Sequence, residues 1–237
     1  MTGYFKAVIF DMDGVLANTE PYYQEIERSL FRRVGLNIRP DEHETFKGVA
    51  ADRMWQILKK KYTLVQDVDE LIRLTTEEMV PFFRRLTFIE PYKGIPELIS
   101  GLFANGISLA LASSSYPEVI DIVLDRTGLT SFFRVVVNSE MAGASKPDPA
   151  VFLLAAEKLG IEPRDCMVVE DSANGIKAAR NAGMFCVAVD FPENRSQDKS
   201  GANRLVTNYF RFIESLNFSD SFNSGVFRLN ENDRNNC

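Results

Sequence analysis

Asp11 and Asp13 stand one residue apart, directly after the apolar run Ala7-Val8-Ile9-Phe10. Residues i and i+2 of an extended chain point the same way. A strand that stops at Phe10 therefore leaves two carboxylates together where the chain exits a sheet. Such a pair attracts a divalent cation, or one member keeps its proton. A plain acidic turn is the structural alternative. Ser113 follows the apolar run Ile107 to Ala112, with Ser114 and Ser115 behind it. Lys146 precedes Pro147-Asp148-Pro149, and Glu170-Asp171 closes the apolar run from Cys166. Taken singly, the serines could cap a helix, the lysine could be solvated, and the acids could favour a helix start. Taken together, carboxylates, a hydroxyl and an ammonium group suit an anion held with a metal. Phosphate with magnesium fits best, because Mg²⁺ takes carboxylate and phosphate oxygens. Lysine, hydroxyl and backbone N–H groups satisfy the remaining oxygens.

The elements that must position these groups follow from hydrophobic period. Short apolar runs predict strands at 6–10, 107–112, 132–137, 166–169 and 185–189, with a short last one at 205–207. Helical spacing, Gly stops and capping residues predict helices between them. Residues 19–86 read as helix throughout, with Tyr22, Ile26, Leu30 and Val34 on one face of the first. The expected fold class is α/β, a doubly wound parallel sheet with a Rossmann-like core, interrupted after strand one by a small all-α insertion. Ligands in open parallel sheets bind beyond the carboxyl ends of the strands. Asp11, Asp13, Ser113, Lys146, Glu170 and Asp171 all fall at that edge.

Composition narrows the functional classes. The formal net charge is −6 with no long basic run, which gives no support for nucleic-acid binding. No apolar stretch reaches the roughly 18 residues of a membrane span, and Met1 to Lys6 shows no signal-peptide pattern. Cys166, Cys186 and Cys237 show neither metal spacing nor a disulfide framework, in keeping with a reducing cytoplasm. His43, the single histidine, lies among acids and reads as a surface residue, so acid–base work falls to other groups. The Asn-, Ser- and Asp-rich stretch after Leu216 reads as a weakly ordered tail.

The segments Phe10-Asp11-Met12-Asp13-Gly14-Val15-Leu16, Leu111-Ala112-Ser113, Lys146-Pro147-Asp148 and Val169-Glu170-Asp171-Ser172 resemble the four signature motifs of the haloacid dehalogenase superfamily. Within it, the chain is similar to the β-phosphoglucomutase and sugar-phosphate phosphatase branch. The resemblance implies a core of residues 1–18 and 88–216, an α-helical cap of residues 19–87, and an unexplained tail of 217–237. It implies that Asp11 is the nucleophile that forms an aspartyl-phosphate, and that Asp13 is the general acid and base. Ser113 and Lys146 would hold the phosphoryl group. The Mg²⁺ cofactor would be held by Asp11, the Asp13 carbonyl and Asp171, with Glu170 a ligand or a supporting partner. Lys47, Gly48 and Arg53 in the cap, with Ser114 and Ser115 in the core, are the expected substrate-binding residues, and opening and closing of the cap would admit substrate and exclude water.

The resemblance also separates two activities. The mutase carries an arginine three residues past the glycine of the cap loop, where this chain has Ala51. It carries a histidine in the helix after the first motif, where this chain has Tyr23. Both departures remove mutase machinery and leave a Mg²⁺-dependent phosphatase of a small sugar or polyol phosphate as the expected function. A β-phosphoglucomutase-type mutase is the alternative. A phosphate-binding protein without catalysis is the alternative of another class, against which the leaving-group acid Asp13 counts. The expected partner is a small phosphate ester, without nucleic acid or membrane, for a cytoplasmic monomer.

Overall fold

Four consecutive apolar residues with no polar alternation suit a strand covered on both faces, and Ala7–Phe10 forms such a strand, β1, fully buried along its length. The computed structural model describes residues 4–46, 49, 51–218 and 225–230. After β1 the chain divides into two compact units: Thr19–Phe88, and Met1–Asn18 with Ile89–Cys237. Among the described residues no helix is long and apolar enough to cross a membrane.

The first unit is all helix: α1 (Glu20–Arg33), α2 (Pro40–Glu44), α3 (Ala51–Tyr62) and α4 (Val68–Arg85). Its centre is Trp55 of α3, whose Nε1 donates to Thr75 Oγ1 of α4 at 2.9 Å. The Thr75 hydroxyl in turn donates to the Leu71 carbonyl at 2.8 Å, so this buried polar pair is satisfied. Phe31 packs edge-on against both Trp55 and His43. His43 is therefore not the surface residue its polar neighbours suggest. It is buried, with Nε2 2.5 Å from Glu27 Oε2 of α1. A carboxylate one helix away satisfies the ring, a partner that local sequence could not reveal.

The second unit carries α5 (Ile95–Ala104), β2 (Ser108–Ser113), α6 (Pro117–Thr127), β3 (Val135–Asn138), α7 (Ser139–Ala142), α8 (Ala150–Leu159), β4 (Cys166–Glu170), α9 (Ala173–Asn181), β5 (Phe185–Val189), β6 (Arg204–Val206) and α10 (Tyr209–Glu214). The six strands form one parallel sheet in the order β3-β2-β1-β4-β5-β6. Small residues (Ala7, Ala110, Ala112, Cys186 and Ala188) line the face on which α8 and α9 pack, with Phe152 and Ile176 filling between. Small strand residues let those helices approach closely. Chain order reverses between β1 and β4, and a crevice opens at such a reversal. The segments carrying Asp11 and Glu170 flank it.

The stretch expected to be a weakly ordered tail contains structure. Leu216–Phe218 (β7) and Phe227–Leu229 (β8) pair antiparallel, and Phe5 and Phe227 exchange backbone hydrogen bonds of 2.7 and 2.9 Å. Phe227 is wholly buried, between the rings of Phe5 and Phe218. Scattered aromatics in polar sequence thus seal the amino end of β1.

Candidate active site

β1 stops at Phe10, and the Asp11 N–H extends the ladder to the Val169 carbonyl at 2.9 Å. The chain then turns: Leu16 N–H donates to the Met12 carbonyl at 2.8 Å and Gly14 N–H to the Ala17 carbonyl at 3.0 Å. Gly14 adopts φ +76°, and a Cβ there would lie 2.2 Å from Asp171 Oδ2. Only glycine meets both demands, the left-handed backbone and the close approach of a carboxylate.

Lys146 joins the two flanking segments. Its Nζ donates to Asp11 Oδ1 at 2.5 Å and to Glu170 Oε1 at 2.8 Å, with all three side chains buried. Its charge also lies 4.9 Å from the centre of the Phe152 ring. Glu170 Oε2 accepts from Asp171 N and Ser172 N, each at 2.6 Å, and from Ser172 Oγ at 3.1 Å. Ser172 caps α9 by accepting from Gly175 N at 3.0 Å. Both oxygens of Glu170 thus have hydrogen-bond partners in the protein.

The serines separate. Ser113, fully buried at the end of β2, accepts from Ser115 N at 3.0 Å. Ser115 Oγ, expected on substrate, donates to Asp13 Oδ2 at 2.6 Å. Ser114 is exposed, 3.3 Å from Ser139 Oγ. Asp11, Asp13, Ser113, Ser115, Lys146, Glu170 and Asp171 are therefore one hydrogen-bonded and close-packed cluster at the carboxyl edge. Arg53 is exposed on α3 of the helical unit. Lys47 and Gly48 lie outside the described residues.

Electrostatics mark the cluster as poised for a cation. Burial pushes the Asp11 carboxyl well above the usual carboxylate range; Lys146 opposes this, while Glu170, Asp13 and Asp171 add to it. Asp171 is pushed up to about 8, chiefly by burial and by Glu170. Burial lowers the Lys146 pKa, but Asp11 and Glu170 outweigh it and hold the ammonium charged. Two of the carboxylates, Asp11 and Glu170, thus share the Lys146 ammonium group. Among the described residues no three acidic, histidine or cysteine side chains are already gathered as metal ligands. The donor chemistry nonetheless fits magnesium: hard carboxylate oxygens in excess of positive charge. The buried Tyr92 hydroxyl has no hydrogen-bond partner among the described residues and feels the charges of Glu193 and Asp171. A hydrated ion beside Asp171 would satisfy it.

Sequence reasoning missed three groups. Tyr209 OH donates to the Val15 carbonyl at 2.8 Å and braces the turn after Asp13. Asn194 Nδ2 reaches both the Gly14 carbonyl (3.5 Å) and Asp171 Oδ2 (3.4 Å). Lys199, also buried, donates to the Asn194 carbonyl at 2.5 Å. An asparagine within Phe191-Pro192-Glu193-Asn194 reads as a turn residue, and no local pattern signals its partner.

Known proteins resemble this chain in sequence and in fold. A Thermotoga maritima protein named phosphorylated carbohydrates phosphatase is 34% identical over 204 residues, covering 85% of this chain and 94% of the relative. Bacillus subtilis β-phosphoglucomutase is 31% identical over 209 residues, covering 85% and 88%. The crystal structure of β-phosphoglucomutase from Clostridium difficile superposes with a TM-score of 0.73 at 27% identity, covering 89% of this chain and 96% of that one. The family model for haloacid dehalogenase-like hydrolases matches residues 8–189, from β1 through the end of β5 and so through every acid of the cluster. With its four motifs at one edge of a 3-2-1-4-5-6 sheet, the chain belongs to the haloacid dehalogenase-like hydrolases.

Proposed function

We propose that the protein is a Mg²⁺-dependent phosphatase that hydrolyses a small sugar or polyol phosphate through an aspartyl-phosphate on Asp11. The observation that carries this reading is the Lys146 ammonium, buried between Asp11 and Glu170, with Asp13 two residues beyond Asp11. Relatives named phosphorylated carbohydrates phosphatase and, in Escherichia coli, hexitol phosphatase B support the substrate class.

The chain's own groups divide the work. An Asp11 carboxylate oxygen attacks phosphorus, and the bond from phosphorus to the ester oxygen breaks. Asp13, oriented by Ser115, gives its proton to the departing oxygen. It then takes a proton from the water that attacks the acyl phosphate, which frees inorganic phosphate and restores Asp11. Lys146 and the Ser113 hydroxyl offset charge on the transferring oxygens. Glu170 holds Lys146 in place and does not itself react. Asp11, the Asp13 carbonyl and Asp171 would hold Mg²⁺, which when bound neutralises phosphate charge and keeps Asp11 ionised. The helical unit, inserted directly after the Asp13 turn, is assigned the choice of substrate.

The test is phosphate release from a panel of hexose, hexitol and glycolytic phosphates with Mg²⁺, run beside β-glucose 1-phosphate with a trace of its bisphosphate. The phosphatase reading expects free phosphate from at least one ester. Efficient formation of glucose 6-phosphate with little free phosphate would replace it with the mutase.

A further inference from the structure

We propose that Asn194, held by Lys199, is a positioning residue for Asp171 and thereby sets the affinity of the site for its divalent cation. The inference rests on the assignment of Asp171 as a cation ligand. Asn194 is buried in the loop between β5 and β6, and its polar groups are all engaged. Its Oδ1 accepts from Phe191 N at 2.9 Å, which fixes the side-chain rotamer. Its Nδ2 is then directed at two places in the site, the Gly14 carbonyl and Asp171 Oδ2. Its own carbonyl accepts from Lys199 Nζ, which also lies 3.5 Å from Asp190 Oδ1. Gln197 of the same loop accepts from Ala173 N, at the first residue of α9. The loop is therefore strapped to the start of the helix that follows Asp171.

The chemistry of the donor matters. An ammonium group against Asp171 would neutralise the charge that a cation needs. An amide N–H holds the carboxylate oxygen and leaves its charge intact. Asp171 Oδ2 then lies in the space that a Cβ at Gly14 would take, within reach of the Asn194 amide. Partners of metal ligands are worth about 10–100-fold in metal affinity. The distances here are long for N–H···O bonds, which points to the lower end of that range.

The experiment is Mg²⁺ titration of the full chain, read by isothermal calorimetry and by the Mg²⁺-dependent rise in melting temperature, with kinetics alongside. Wild type should bind Mg²⁺, and Asp171→Asn should lose that binding. Asn194→Ala should raise the Mg²⁺ dissociation constant about tenfold, with the kinetic loss falling on Mg²⁺ half-saturation rather than on kcat. Lys199→Met, which removes the bond to the Asn194 carbonyl together with a charge that acts on Asp171, should move the constant in the same direction, and Lys199→Arg, which keeps the charge, should restore it. That pair reads out the proposal even if Asn194→Ala does not fold. Folded Asn194→Ala, or Lys199→Met, with wild-type Mg²⁺ affinity would overturn the positioning role while leaving Asp171 as the ligand. Equal Mg²⁺ response in wild type and Asp171→Asn would instead remove the ligand assignment, and the inference with it.

Discussion

Lys146 is the residue on which the cluster depends, because it is the ammonium group bonded to both Asp11 and Glu170. Lys146→Met would leave two buried carboxylates side by side without their counter-charge. Removing one partner of a buried pair costs about 3–5 kcal/mol. Urea unfolding of Lys146→Met should show a loss of that order, with phosphate release abolished. Gly14 is a second sensitive point. Alanine there meets both φ +76° and a carboxylate oxygen 2.2 Å away. Gly14→Ala should cost about 1–3 kcal/mol for the backbone alone, and it should weaken Mg²⁺ binding, measurable in the same titration. The acids and Ser113 were legible because they stand at or just past the end of an apolar run, where β-periodicity places them at one sheet edge, and Lys146 because it precedes the helix that follows the third strand. Ser115 was legible as polar but not as the partner of Asp13, since only the fold brings together residues 102 positions apart. Asn194 carried no signal: it acts on Asp171 from a loop whose course no period encodes.

At the scale of elements, the strands were the best-read part of the chain. All six of the parallel sheet overlap the apolar runs that predicted them, and the central ones are apolar because they are buried on both faces, whereas the edge strand β6 carries Arg204 and an exposed Leu205. The carboxyl-terminal pair β7–β8 was not legible, since three-residue strands are too short to show alternation. Its anchor is Phe227, buried against Phe5 at the amino end of β1, the end opposite Asp11. Phe227→Ala should therefore destabilise by about 3–5 kcal/mol, as large-to-small changes at buried phenylalanines do. Phosphate release measured well below the melting temperature should remain near wild type. A loss of kcat in a folded variant would tie the hairpin to the chemistry instead.

For the molecule as a whole, the acid cluster links stability, pH and metal. Burial and the Glu170 charge push the Asp171 carboxyl up to about 8, above the ordinary range of an aspartate. A raised carboxyl pKa means that the fold prefers the protonated form. Its contribution to stability is complete below the unfolded pKa and is lost as pH rises through about 8. With Asp171 as a Mg²⁺ ligand, as proposed, the ion takes the ionised form and must displace that proton when pH is lower. The Mg²⁺-induced rise in melting temperature should therefore be larger at pH 8 than at pH 6. A Mg²⁺ effect independent of pH across that window would contradict the linkage. The central claim is that Asp11 is the nucleophile of a phosphatase. Its most direct test is steady-state phosphate release by Asp11→Asn, on the best ester of the panel and with saturating Mg²⁺. The account predicts no turnover above background from a protein that still melts cooperatively; release at the wild-type rate would contradict it.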